Sequence, residues 1–312
     1  MSEVKVIKLY NKFHLGDQIF NFILLNNIKD YIEENDITIE YYCGKEHHEQ
    51  LSEFNFSKNI HILEYIPGIT NGFELWIGNQ EFENYIWKKK QTIGFNNFYV
   101  MFFNEFLQKQ NIPITIEKLE YKDPDLQNRY NIIDTKFNNK YSGLDFLILN
   151  STPKSGQYVK DDTKWNNLIN KLNKKYKVVT SEKVEGVICT CDDKLTLKDI
   201  QAISAYSKKI IGVNSGVMTV IFNSDTLNNV EMIYSFSNNS HDKYDHPKII
   251  NKEDIDEMHS ILNTEEAFQN LDVDHYGLLI TALILPVFAF ISYNTFNWIR
   301  FLKKTIGDKK RK

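Results

Sequence analysis

A chain of 312 residues, 42% hydrophobic and 25% charged, has the apolar material to bury the cores of two ordinary domains, which excludes intrinsic disorder. Its formal net charge of −4 provides no overall basic field and excludes nucleic acid as the expected partner. Three cysteines, Cys43, Cys189 and Cys191, are too few for a disulfide framework, and Cys-x-Cys without further ligands is a poor metal motif. All three are expected to be reduced thiols.

Val4 to Tyr10 reads as a strand, and a polar loop containing Gly16 leads into an apolar-periodic helix from about Asp17 to Ile32. No basic n-region, apolar h-region or cleavage site precedes the strand, so a cytosolic body is expected. Thr38 to Cys43 is a second strand, Lys45 to Phe54 a short helix, and Ile60 to Tyr65 a third strand. Phe73 to Ile77 is a further strand, and Asn97 to Gln110 a helix with Phe98, Phe102 and Phe106 on its core side. Lys122 to Ser142, polar and containing Pro124, reads as a connection between domains.

A second alternation comes next: strands at Leu144 to Leu149, Lys177 to Thr180, Gly186 to Thr190, Lys209 to Val213 and Val230 to Tyr234. Helices are expected at Trp165 to Tyr176, at Leu197 to Tyr206 and from Val217 to Phe222. Repeated βαβ units build parallel sheets, whose ligands bind at the carboxyl ends of the strands. The expected fold is therefore α/β, with two Rossmann-like domains facing a cleft. Residues 1–140 are expected to form the first domain, 141–250 the second, and 251–275 return helices. Asn150 begins one of three N-x-Ser/Thr sequons, with Asn55 and Asn238, but it ends a buried strand where a glycan would not fit.

Two motifs carry chemistry. In Phe13-His14-Leu15-Gly16-Asp17-Gln18, glycine permits a tight turn and Asp17 stands at a helix start, either as a base aimed across the cleft or as a cap of that helix. The flanking His14, Gly16 and Gln18 complete the loop on this side of the cleft. In Asn214-Ser215-Gly216-Val217-Met218-Thr219, small residues between strand and helix allow backbone amides to approach a diphosphate, or simply make an ordinary turn. His241-Asp242 and Asp245-His246 form a His/Asp cluster, read as a loop of solvated side chains and not as a metal site.

Leu15-Gly16-Asp17 resembles the strand-Leu-Gly-Asp-helix opening of the ADP-heptose:lipopolysaccharide heptosyltransferases. Asn214 to Thr219 resembles their Asp-Ser-Gly-Pro-Met-His turn, departing from it at Asn214, Val217 and Thr219. Leu149 to Pro153, Lys164-Trp165 and Leu195 to Asp199 resemble further family segments in the same order. His14 to Phe20 also partly resembles a fucosyltransferase signature, without the His-x-Arg-Arg-Gly-Asp box of those enzymes. The first resemblance implies the GT-B fold and inverting, metal-independent transfer, needing no cofactor, from a nucleotide-diphosphate sugar to a glycan or glycolipid hydroxyl. It implies Asp17 as general base and Lys164 neutralising the leaving diphosphate. Donor contacts would come from Thr152, Lys164, Asn214, Ser215, Gly216, Val217, Met218 and Thr219. The alternative is a catalytically silent sugar-nucleotide or glycan-binding protein of the same fold.

From Tyr276 to Ile299 no residue is charged, and a helix of that length rises roughly 36 Å, enough for a hydrocarbon core. Arg300, Lys303, Lys304 and the terminal Lys309 to Lys312 suit anionic headgroups. Membrane association through Tyr276 to Leu302 is expected, either spanning or broken at Pro286 and interfacial.

Overall fold

The computed structural model describes residues 5–79, 93–153, 158–238, 243–258 and 260–262. Two compact units divide the chain, Met1–Ile255 and Asp256–Lys312, and both sheets belong to the first. One sheet contains β1 (Val6–Tyr10), β2 (Thr38–Cys43), β3 (Ile60–Glu64) and β4 (Phe73–Glu74), in the order β3-β2-β1-β4. The other contains β5 (Leu144–Leu149), β6 (Val178–Thr180), β7 (Ile188–Cys189), β8 (Ser207–Val213), β9 (Met232–Phe236) and β10 (Ile249–Lys252), in the order β10-β9-β8-β5-β6-β7. Every pairing is parallel. The mixed α/β reading with parallel sheets therefore holds.

Residue patterns account for the layers. In β2, Ile39, Tyr41 and Cys43 are buried and alternate with partly exposed neighbours, so this strand has one fully covered face. In β5 and β8 the apolar runs are buried on both faces, as central strands of a parallel sheet must be. Burial pushes the Cys43 thiol up to about 12, so this cysteine is a packing residue and not a nucleophile.

Several expectations are corrected. The segment read as a connection contains the helix Leu126–Lys136, which packs on the helix Leu197–Ser204. Its buried Leu126, Tyr130 and Ile133 fall at helical spacing, and the surrounding Asn and Gln residues masked that period. Tyr130 stacks on Tyr206 at 3.7 Å. β4 is cut short at Glu74, and β10 occupies the start of the stretch read as return helices. Cys189 and Cys191 are joined as a disulfide, not reduced: β7 stops at Cys189, and the 3-10 turn Thr190–Asp193 folds Cys191 back onto it. Among the described residues no helix is long and apolar enough to cross a membrane, and residues 276–302 lie outside them.

One buried cation ties the two sheets together. Lys198, on the helix Leu197–Ser204, is 2% exposed, pairs with Asp123, and donates to the Tyr121 hydroxyl at 3.0 Å. Its ammonium lies 4.5 Å from the ring centre of Phe56 and 4.9 Å from that of Phe54, both contributed by the first half of the chain. Beside this cage Arg129 bridges Asp199 at 2.7 Å and Glu53 at 3.0 Å. Burial lowers the Lys198 pKa to about 8, with Asp123 opposing the shift. The folded-state value lies below that of an unfolded lysine, so above about pH 8 the unfolded chain holds a proton that the folded chain has released. The contribution of Lys198 to stability accordingly rises with pH from that point towards the ordinary lysine range. In denaturant melts, Asp123→Ala should cost about 3–5 kcal/mol by stranding the cation. Lys198→Met should flatten the rise of stability above pH 8, and an unchanged slope would show that another group carries it.

Candidate active site

β1 has β2 on one side and β4 on the other, so the chain leaving its carboxyl end emerges at a topological switch point. β5 stands in the same position between β6 and β8. Open parallel sheets leave a crevice at such points, because successive crossovers depart to opposite sides. Both sequence motifs fall there.

At the first switch point the buried Asn11 side chain donates to the Leu75 carbonyl at 3.0 Å and accepts from the Phe13 amide at 2.9 Å. Phe13 stacks on Trp76 with ring centres 3.8 Å apart. The chain then enters α1 (Leu15–Asn26), whose N-cap is the exposed His14. Asp17 is not the cap: it lies in the first turn, half-buried, and accepts a hydrogen bond from the Tyr99 hydroxyl. Gln18, expected to face an acceptor, is buried and donates to the Phe13 carbonyl at 2.8 Å, holding the loop in place.

At the second switch point the Ser151 and Ser215 hydroxyls lie 3.0 Å apart, joining the ends of β5 and β8, and Thr152 beside them is exposed. Asn214 is buried and accepts from the Tyr244 hydroxyl at 2.6 Å. The helix expected from Val217 is instead the 3-10 turn Gly216–Ile221, succeeded by a separate helix, Ser224–Asn229, that Asn223 caps. Met218 is buried against Gly212, and Thr219 is buried and donates to the Gly216 carbonyl at 2.6 Å. Gly216 is exposed and Val217 half-buried, so these two residues bring the motif to the surface.

The two switch points touch. A Cβ on Gly16 would lie 2.8 Å from the Gly216 Cα and 3.3 Å from the Thr219 Cγ2. Gly16 is thus required for close backbone approach; it is not among the residues at positive φ that a tight turn would need. The loop carrying Asp245 braces the contact: its backbone exchanges hydrogen bonds of 2.9 and 2.7 Å with the Asn96 side chain. His246 accepts from the Lys248 amide at 3.2 Å, and burial holds its pKa below the ordinary histidine value. His241 and Asp242 lie outside the described residues, among which no group of three ligating side chains is placed to hold a metal ion.

Lys164 stands in the first turn of the helix Asp162–Asn173, which Asp161 caps at 3.0 and 3.1 Å. It lines a cavity of about 350 Å³ with Tyr158, Asp161, Asn238, Glu253 and Asp254, and its ammonium lies 3.8 Å from the Asp254 carboxylate. Asn238 comes after β9, and the two acidic residues come after β10. Neither acid was visible as a site residue from sequence, because the strand that delivers them carries only the short apolar pair Ile249-Ile250.

No protein-family model and no curated protein matches the chain. Solved structures do. E. coli heptosyltransferase WaaC with ADP-2-deoxy-2-fluoro heptose has a TM-score of 0.51 at 9% identity, over 83% of this chain and 99% of that one. The same enzyme with ADP also scores 0.51 at 9% identity, over 84% and 98%. The fold is that of the heptosyltransferases. The glycosyl transferase family 9 structure from Veillonella parvula DSM 2008 has a TM-score of 0.48 at 15% identity, covering 84% of this chain and 90% of that one. Within the heptosyltransferase fold, this chain brings its two glycine motifs into direct backbone contact.

Gly16→Ala should therefore force the two loops apart and cost about 1–3 kcal/mol in a thermal or denaturant melt. At Gly216 a Cβ would meet nothing nearer than 3.4 Å. Gly216→Ala should then stay within about 0.5 kcal/mol of wild type, and equal losses in the two variants would refute the asymmetry of the contact.

Proposed function

We propose that the chain is a glycosyltransferase moving a sugar from a nucleotide-diphosphate sugar to a hydroxyl of a glycan or glycolipid, with inversion and without a metal. The observation that carries this reading is the meeting of two switch points, with Asp17 on one side of the Gly16–Gly216 contact and the Ser151–Ser215 pair on the other. In this reading Asp17 is the base and the turn after Ser215 the donor cradle, at one crevice of a fold shared with enzymes solved with ADP and ADP-2-deoxy-2-fluoro heptose.

In this mechanism Asp17 takes the proton of the acceptor hydroxyl as that oxygen bonds to the anomeric carbon. The bond from the same carbon to the donor phosphate oxygen breaks on the opposite face. Negative charge grows on the leaving diphosphate, where fixed donors are worth most because they need no rearrangement. The Met218 amide is already bonded to the Ser215 carbonyl at 3.0 Å. The turn's opening amides, Gly216 and Val217, are the ones that take the phosphate, since the first amides of a helical turn have no partner within it. Lys164 lines a cavity that none of the motif residues lines, and in this reading its side chain leaves Asp254 to supply the mobile positive charge to the diphosphate.

The catalytic body is read as cytosolic and held at a membrane by residues 276–302, which bear no charge up to Ile299 and are succeeded by basic residues. Truncation after Asp274 should release the body from membranes in a flotation assay while preserving its melting point. A full-length chain that stays unbound would overturn this attachment.

Thermal shift with ADP-, GDP- and UDP-sugars should identify the donor, since a ligand that binds only the native state raises its melting point. With that donor, Asp17→Asn should lower kcat by roughly 10²- to 10⁴-fold while leaving donor affinity nearly unchanged. A donor that binds without being turned over by the wild-type chain would favour the silent binding protein.

A further inference from the structure

We propose that Tyr99 is a positioning residue for Asp17, fixing the carboxylate of the base through its hydroxyl; the inference rests on the glycosyltransferase reading above. Tyr99 lies on the helix Phe95–Lys109, is 1% exposed, and donates to Asp17 Oδ1. The same helix packs its core side with Phe95, Phe98, Phe102, Phe103 and Phe106. A ring alone would be supplied by phenylalanine, as it is at each of those positions. At position 99 the chain adds one buried oxygen, which must find a partner or incur a desolvation cost, and the partner it meets is Asp17.

The ring holding that hydroxyl is itself fixed. Phe20, on α1 just beyond Asp17, lies 4.6 Å from Tyr99 between ring centres, and Phe95 lies 5.1 Å away. Phe20 also meets Phe222 at 5.4 Å, Phe222 meets Tyr244 at 4.9 Å, and Tyr244 meets Phe95 at 5.9 Å. Five rings thus close a cycle behind the Gly16–Gly216 contact. Its two hydroxyls point to different halves of the site: Tyr99 to Asp17, Tyr244 to Asn214. The helix carrying Phe95 and Tyr99 is pinned at its start, where the Phe95 amide donates to the Lys243 carbonyl at 2.8 Å. A carboxylate on the first turn of a helix has rotamers to choose from, and Tyr99 selects one of them.

The test uses the full-length chain and the donor selected from ADP-glucose, GDP-mannose and UDP-glucose by thermal shift, monitoring release of nucleoside diphosphate. Tyr99→Phe keeps the ring and should melt within a few degrees of wild type. Its kcat should fall roughly 10- to 100-fold with donor KM nearly unchanged. Tyr244→Phe, on the same ring cycle, should instead raise donor KM. Because Tyr99 acts through Asp17, the double variant Asp17→Asn/Tyr99→Phe should be no slower than Asp17→Asn alone. A wild-type kcat in Tyr99→Phe overturns the proposal. So does a double variant showing the product of both single losses, or identical kcat and KM changes in the two tyrosine variants, which would mark general loosening of the cycle. A wild-type chain that binds and turns over none of the donors would instead overturn the glycosyltransferase reading itself.

Discussion

The approach of Gly16 to Gly216 is the constraint around which the rest of the first unit is arranged. Each sheet could form without it, since each has its own apolar strands and covering helices. Two backbones without side chains between them bring α1 and the 3-10 turn together at the one place where both sheets reverse strand order. The residues nearest this contact are occupied with each other: Thr219 packs on Gly16, Asn214 accepts from Tyr244, and Ser151 meets Ser215. Preorganisation of this kind favours chemistry whose charge develops at a fixed point.

Two further ties of opposite character support that contact. Behind it, the five-ring cycle is apolar apart from two hydroxyls, and aromatic pairs contribute about 0.5–1.5 kcal/mol each beyond their buried area. Elsewhere, Lys198 is held by Asp123, Tyr121, Phe54 and Phe56, a buried ion pair whose worth lies more in fixing one arrangement than in net stability. An apolar cluster tolerates sliding, whereas a caged cation does not. Both ties lie within the first compact unit, and both link residues of the first half of the chain to residues of the second.

Much of this was legible in the sequence, and the failures have physical reasons. β1, β2, β5 and β8 were visible because parallel strands buried on one or both faces leave alternating or continuous apolar runs. The helix at Leu126–Lys136 was not, because its three buried residues stand among Asn, Gln and Asp that favour loops when read locally. β10 escaped for a related reason: an edge strand with a single parallel neighbour needs little apolar sequence. Gly16, Asp17, Asn214 and Ser215 were found as motif residues, but their contacts were not. Tyr99 and Tyr244 lie far from both motifs in sequence, and only folding reveals that their hydroxyls converge on Asp17 and Asn214. The 3-10 turn replaced an expected helix because Asn223 caps the helix Ser224–Asn229 and so ends the turn at Ile221.

The cavity at Lys164 is walled in part by the last residues of the first unit. Its wall includes Glu253, Asp254 and Ile255, and Ile255 is the last residue of the first compact unit. The wall therefore lies at the very end of the first unit. Between Asp256 and Asp254, the partner of Lys164, only Ile255 intervenes, and that residue is itself buried. The stretch Glu253 to Ile255 thus lines the cavity, supplies the partner of Lys164 and closes the first unit, all within three residues.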